Sequence, residues 1–151
     1  MSRSDKMFLI AQVRIDKLAE AWEAFREFLV PAFVAAKNTN PYTQRDLMLS
    51  GETQLWAVVQ VDAQSVSPVG IFFTGIVDDD GRRVVDAHTM SGKYLPEWAY
   101  LAQNVVERFA LENDCKIVRF MGRRALSRIY HGYRIIGDAR PGEKLFERIL
   151  S

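Results

Sequence analysis

The stretch Lys116-Ile-Val-Arg-Phe-Met-Gly-Arg-Arg-Ala-Leu-Ser-Arg-Ile-Tyr-His-Gly-Tyr133 decides the fold. Its first half, Lys116 to Met121, has β-branched content and reads as a short strand that Gly122 terminates. The second half, Arg124 to His131, reads as a short helix with Gly132 as its C-cap. Upstream lies a longer helical pattern. Pro96 suits its first turn, Trp98, Leu101, Val105 and Phe109 with the alanines between them supply a buried face, and Asn113-Asp114 end it. Downstream, Tyr133 to Ile136 and Lys144 to Leu150 read as a strand pair around Gly137 to Gly142.

Working back toward the N-terminus, Arg82 to Met90, Val69 to Val77 and Gln54 to Val61 read as three consecutive strands. Asp78-Asp79-Asp80-Gly81 is a tight hairpin connection in which Gly81 supplies positive φ. Asp62 to Pro68 is a polar link. Met7 to Val13 reads as the first strand. Asp16 then caps a helix whose apolar positions Leu18, Trp22, Phe25, Leu29 and Phe33 recur at three- and four-residue steps. Pro31 inside that pattern is expected to kink or break the helix near Val30. Phe28 falls off the main stripe and would mark a partner surface if exposed. Asn38 to Pro41 is a loop, and Thr43 with Asp46 opens a short second helix toward Leu49, stopped by Ser50-Gly51. The order β-α-α-β-β-β-α-β-α-β-β predicts one α/β domain over residues 1–151, a mixed central sheet with helices on both faces.

Composition narrows the partners. The 151 residues are 48% hydrophobic and 26% charged, with 20 basic residues against 19 acidic for a formal charge of +1. A protein that neutralises phosphates along a nucleic acid carries a basic surplus, so nucleic acid is not an expected partner. Arg119, Arg123, Arg124, Arg128 and Arg134 form the one basic cluster; it reads either as a solvated or salt-bridged face or as a place to meet phosphate groups. Cys115 stands alone, which forbids an intrachain disulfide and suggests a small buried hydrophobe. No apolar run approaches a signal peptide or a membrane span, so the expected location is a cytoplasm, or a particle assembled in one. His88 and His131 lie on different elements with no cysteine pair nearby, so no metal site is expected. No nucleophile-elbow or P-loop pattern is present.

Three segments carry a family resemblance: Lys116 to Tyr133, with its strand, short helix and closing Gly-Tyr; Gln54-Leu-Trp-Ala-Val58; and Val69-Gly-Ile71. Together they resemble the GNAT N-acetyltransferase superfamily over nearly the whole chain. With Gly122-Arg123 they further resemble small GNAT-like proteins of tailed bacteriophages. The resemblance implies an acetyl-CoA site at the N-terminus of the helix after the fourth strand. Its pyrophosphate cradle would be the turn Ser91, Gly92, Lys93 and Tyr94. That turn has one glycine, followed by Pro96, which lacks a donor, and by Glu97, whose charge opposes phosphate. The family's acid tyrosine stands four residues before the closing glycine. Arg128 holds that place here, and Tyr130 lies two residues later. Alternation along Arg82 to Met90 puts Val84, Asp86 and His88 on one face, which makes Asp86 and His88 the candidate proton acceptors.

Two functions follow from the resemblance. One is an N-acyltransferase using acetyl-CoA, with Asp86, His88 and Tyr130 in the chemistry. The other is a GNAT-shaped, non-catalytic interaction or virion-associated protein, in a host cytoplasm or a virion, with protein partners. Fold alone does not choose between them.

Overall fold

The computed structural model describes residues 7–35, 51–139 and 141–150, without the side chains at 31–35, 89, 125 and 126. The helix expected over Thr43 to Leu49 and the side chain of Phe33 therefore lie outside the described residues. Strands β1 (Met7–Gln12), β2 (Thr53–Val61), β3 (Val66–Asp79), β4 (Arg82–Gly92), β5 (Ile117–Gly122), β6 (Arg134–Asp138) and β7 (Lys144–Ile149) form among the described residues one sheet in the order β1-β2-β3-β4-β5-β7-β6. Helices α1 (Leu18–Ala24) and α2 (Arg26–Ala35) precede β2, and α3 (Leu95–Glu112) follows β4. β5 and β4 pair in parallel, whereas β1–β2, β5–β7 and β6–β7 are antiparallel. This is the mixed α/β architecture the element order predicts.

The chain falls into two compact units. One is drawn from the chain up to Phe73 with Thr89–Trp98, the other from Thr74–His88 with Ala99 onward. In the first, strand alternation sends Ile71 and Phe73 to one face of β3 and Phe72 to the other. Leu18, Phe25, Phe28 and Leu29 pack with Leu55, Ile71 and Phe73 into one buried cluster. On the opposite face Trp56, Phe72 and Trp98 stack, with ring centroids 5.8 and 6.4 Å apart. In the second unit Val84, Val85, Ala87, Val118, Phe120 and Phe146 are buried, as are Ala99, Ala102, Val106 and Ala110 of α3.

Several local expectations are corrected. The helix breaks at Phe25 (φ −108°, ψ 15°), not near Val30, and α2 runs through Pro31. The turn at Phe25 lets Phe25, Phe28 and Leu29 all face the core, so Phe28 is buried and marks no partner surface. Asp16 makes no side-chain cap; it sits in a 3-10 turn, Ile15–Lys17, and pairs with Arg14. The buried stripe of α3 is Trp98, Ala99, Ala102, Val106 and Ala110, while Leu101 is exposed. Small side chains let a helix lie close against a sheet, so the larger residues are turned to the flanks. Residues Arg124–Arg128 form a 3-10 turn instead of a full α-helix. Asp80 and Gly81 both have positive φ, +55° and +85°, as a two-residue type I′ hairpin requires.

At one end of the sheet, β6 is exposed along its whole length, and its pairing with β7 shifts register between Ile135 and Gly137. No helix among the described residues is long and apolar enough to cross a membrane.

Candidate functional site

The cradle candidates straddle a strand end. Ser91 and Gly92 are the last residues of β4, and Lys93 and Tyr94 are the two residues linking it to α3. Gly92 is held tightly against β3: a Cβ there would lie 2.2 Å from the carbonyl oxygen of Val69 and 2.5 Å from Cα of Gly70. Gly70 in turn leaves room for Trp98, whose Cζ2 would come within 2.6 Å of a Cβ at that position. Trp98 is fully buried, and its indole N–H donates to the carbonyl of Lys93 at 2.7 Å. Gly70, Gly92 and Trp98 thus form a packed lock, and the glycine of the turn is required by the neighbouring strand.

The amides of this segment are largely committed. Lys93 N–H donates to Val69 O at 2.7 Å, and the N–H groups of Glu97 and Trp98 donate to Tyr94 O at 2.9 and 3.3 Å. Pro96 has no N–H. A nucleotide pyrophosphate at a helix N-terminus needs amides aimed at it, and these four positions offer none. Tyr94 adopts φ +60°, an uncommon conformation for a non-glycine residue. Its ring lies 6.1 Å from that of Phe8 and is partly exposed.

Asp86 and His88 lie on the part of β4 that belongs to the second unit. Asp86 is half-buried directly opposite Arg119. Burial pushes its carboxyl above the usual carboxylate value, against the pull of Arg119 and with a further push from Asp79. Arg119 is opposite Glu147 on β7, and Glu147 is opposite Arg134 on β6. The strand register therefore lines up Asp86, Arg119, Glu147 and Arg134 as a row of alternating charge across four strands. Arg119 Nε donates to Glu147 Oε2 at 2.9 Å, the Arg134 guanidinium lies 3.7 Å from Glu147, and Arg119 also pairs with Asp79. Pairing between β4 and β5 runs from Val84–Ile117 to Ala87–Phe120, although β4 continues to Gly92 and β5 to Gly122.

Tyr130 is almost fully buried, with its ring 4.6 Å from Phe120 and 5.7 Å from Phe146. Burial drives its hydroxyl well above the normal tyrosine value. Arg128, at the family's acid position, is exposed. Tyr133 donates to Glu107 at 2.8 Å, and Glu107 also accepts from Arg148.

Two features were not read from the sequence: the four-strand charge row, and an exposed stacked pair, Tyr100 and His131, whose hydroxyl and Nε2 are hydrogen-bonded at 2.8 Å. The row has no local signal, because its members meet only once strand register is set. Among the described residues no group of three or more His, Cys, Asp or Glu side chains is placed to hold a metal ion.

No protein-family model matches the sequence, and no curated protein sequence matches it. Solved structures do. A probable acetyltransferase from Staphylococcus epidermidis superposes with a TM-score of 0.69 at 9% identity, covering 96% of this chain and 100% of the other. An N-acyl amino acid synthase from uncultured soil microbes gives 0.65 at 10% identity, with 97% and 91% covered. A GNAT-family acetyltransferase from Listeria monocytogenes gives 0.56 at 11%, with 95% of each chain covered. At such identities the likeness speaks for backbone architecture alone: this chain has the GNAT acetyltransferase fold.

Proposed function

We propose that this protein is a GNAT-fold component that acts by binding a protein partner and not by transferring acetyl groups. The resemblance of Gln54–Val58 and Val69–Ile71, together with Gly122-Arg123, to small GNAT-like proteins of tailed bacteriophages suggests a virion, or another phage assembly, as the setting of that role. The observation that carries the reading is the turn after β4, where Lys93, Glu97 and Trp98 spend their amides inside the protein and Gly92 is filled by Val69. Tyr130, buried among Phe120 and Phe146, adds to it, since a proton donor works best with its pKa near the operating pH. Isothermal titration of the folded protein with acetyl-CoA and free CoA tests this. No heat at millimolar ligand is expected; micromolar binding overturns it.

One observation favours the second reading, an active N-acyltransferase. The parallel β4–β5 pairing ends at Ala87 and Phe120 while both strands continue, and Asp86, one residue before that point, has a raised carboxyl. In this reading Asp86 accepts the proton of an amine substrate. Acetyl-CoA-dependent modification of an amine panel, lost in Asp86→Asn, would establish it.

A further inference from the structure

From Cys115 to Gly137 the chain contains no acidic residue. Two of the cations in that stretch have acidic partners: Arg119 pairs with Glu147 and Asp79, and Arg134 lies 3.7 Å from Glu147. Arg123, Arg124 and Arg128, in and beside the 3-10 turn after β5, are exposed and make no ion pair among the described residues. Their positive charge faces solvent without a counterion among the described residues.

Three residues beyond Arg128 is the exposed His131, stacked on Tyr100 of α3 with ring centroids 5.7 Å apart. Tyr100 is 45% exposed. The pair is held from two sides: the Tyr100 hydroxyl meets His131 Nε2 at 2.8 Å, and Gln103 Nε2 donates to the His131 carbonyl at 3.2 Å. Gln103 is buried, and its Oε1 has no hydrogen-bond partner. A buried amide left half satisfied is costly; here its bond to the His131 carbonyl helps hold His131 in place. An exposed aromatic pair held by hydrogen bonds, three residues along the chain from a guanidinium with no ion pair among the described residues, has the make-up of an interface centre, where tyrosine and arginine dominate.

We propose that Arg124, Arg128, His131 and Tyr100 form a docking surface for an acidic segment of a partner protein. Guanidinium forks match carboxylates in a two-bond geometry, and the ordered ring pair supplies apolar area at small entropic cost. A nucleic acid is a poorer fit: the cations sit on one short turn, without the extended track that phosphate neutralisation uses, and the chain's net charge is only +1. The inference rests on the reading of the chain as a partner-binding protein and names the chemistry of that partner.

The test is fluorescence anisotropy with a fluorescein-labelled oligoglutamate peptide at low and moderate salt, with circular dichroism to confirm that each variant is folded. Expected is salt-sensitive binding that falls about tenfold in Arg124→Gln/Arg128→Gln, falls also in Tyr100→Ala, and is unchanged in Arg26→Gln on α2. Equal binding by the double variant overturns the proposal, as does tighter binding of single-stranded oligothymidine than of oligoglutamate. The two readings fail separately. Heat on adding CoA removes the non-catalytic reading, whereas failure of the unaltered protein to bind oligoglutamate, with no heat from CoA, removes this surface alone.

Discussion

Gly92 illustrates how one residue can answer to packing when its sequence context suggests ligand binding. Adding a methyl group there sets a carbon 2.2 Å from Val69 O, a main-chain atom with little freedom to move. Gly92→Ala should therefore destabilise the fold by about 3 kcal/mol, as overpacking against backbone does; urea denaturation will read it. A cradle glycine would instead lose ligand affinity with little change in stability. Asp86 gives a second residue-scale prediction through its raised carboxyl. The folded chain holds that proton more tightly than the unfolded chain does, so its contribution is full below the unfolded value of 3.8 and is lost as pH rises through the folded value. Asp86→Asn should remove this loss. Wild type should weaken relative to the variant as pH rises above 3.8, followed by denaturation at each pH. Asp79 runs the other way. Its hydrogen bond with Arg119 holds its carboxyl low, so its contribution is present at neutral pH and fades as pH falls through that depressed value.

At the scale of elements, the charge row across β4, β5, β7 and β6 binds strands distant in sequence. Glu147 is 4% exposed and Arg119 13%, so removing either partner strips a nearly buried charge of its main counterion, leaving Arg119 with the exposed Asp79 or Glu147 with the exposed Arg134. Arg119→Met or Glu147→Gln should each cost on the order of 3 kcal/mol, and Arg119→Met/Glu147→Leu together should recover much of it. A double-mutant cycle measures the coupling. What was legible in the sequence follows the same division between local and distant. Alternation and the Asp80-Gly81 turn placed β3 and β4, and the helical period placed α3. That period slipped by one residue on α3, because Leu101 and Val105 outweigh alanine in hydrophobicity while Ala102 and Ala110 fit closer to the sheet. The direction of the Tyr130 side chain was not legible for a related reason: the 3-10 turn at Arg124–Arg128 advances by three residues per turn, not 3.6, so helical counting does not give it. The charge row was invisible because Asp86 and Glu147 are 61 positions apart and meet only through Arg119.

For the whole molecule, the architecture is shared with acetyltransferases while the site decides the function. The GNAT fold persists at 9 to 11% identity to the three structures compared, so the architecture tolerates replacement of most side chains. Thermal unfolding with and without CoA is a further check on the non-catalytic reading. A ligand bound with micromolar affinity and supplied at a thousandfold excess would stabilise the fold by about 4 kcal/mol, a shift of several degrees; no shift is expected. The exposed edge strand β6 bears on how the protein behaves when concentrated. With Ile135 and Ile136 both about 40% exposed, it has the composition of a sticky edge. The register shift between Ile135 and Gly137 splits it into two short halves, so an arriving strand cannot keep in step along its length. Strand addition should therefore stall at its first layer, and the protein is expected to stay free of fibrils when concentrated despite two solvent-facing isoleucines on this strand.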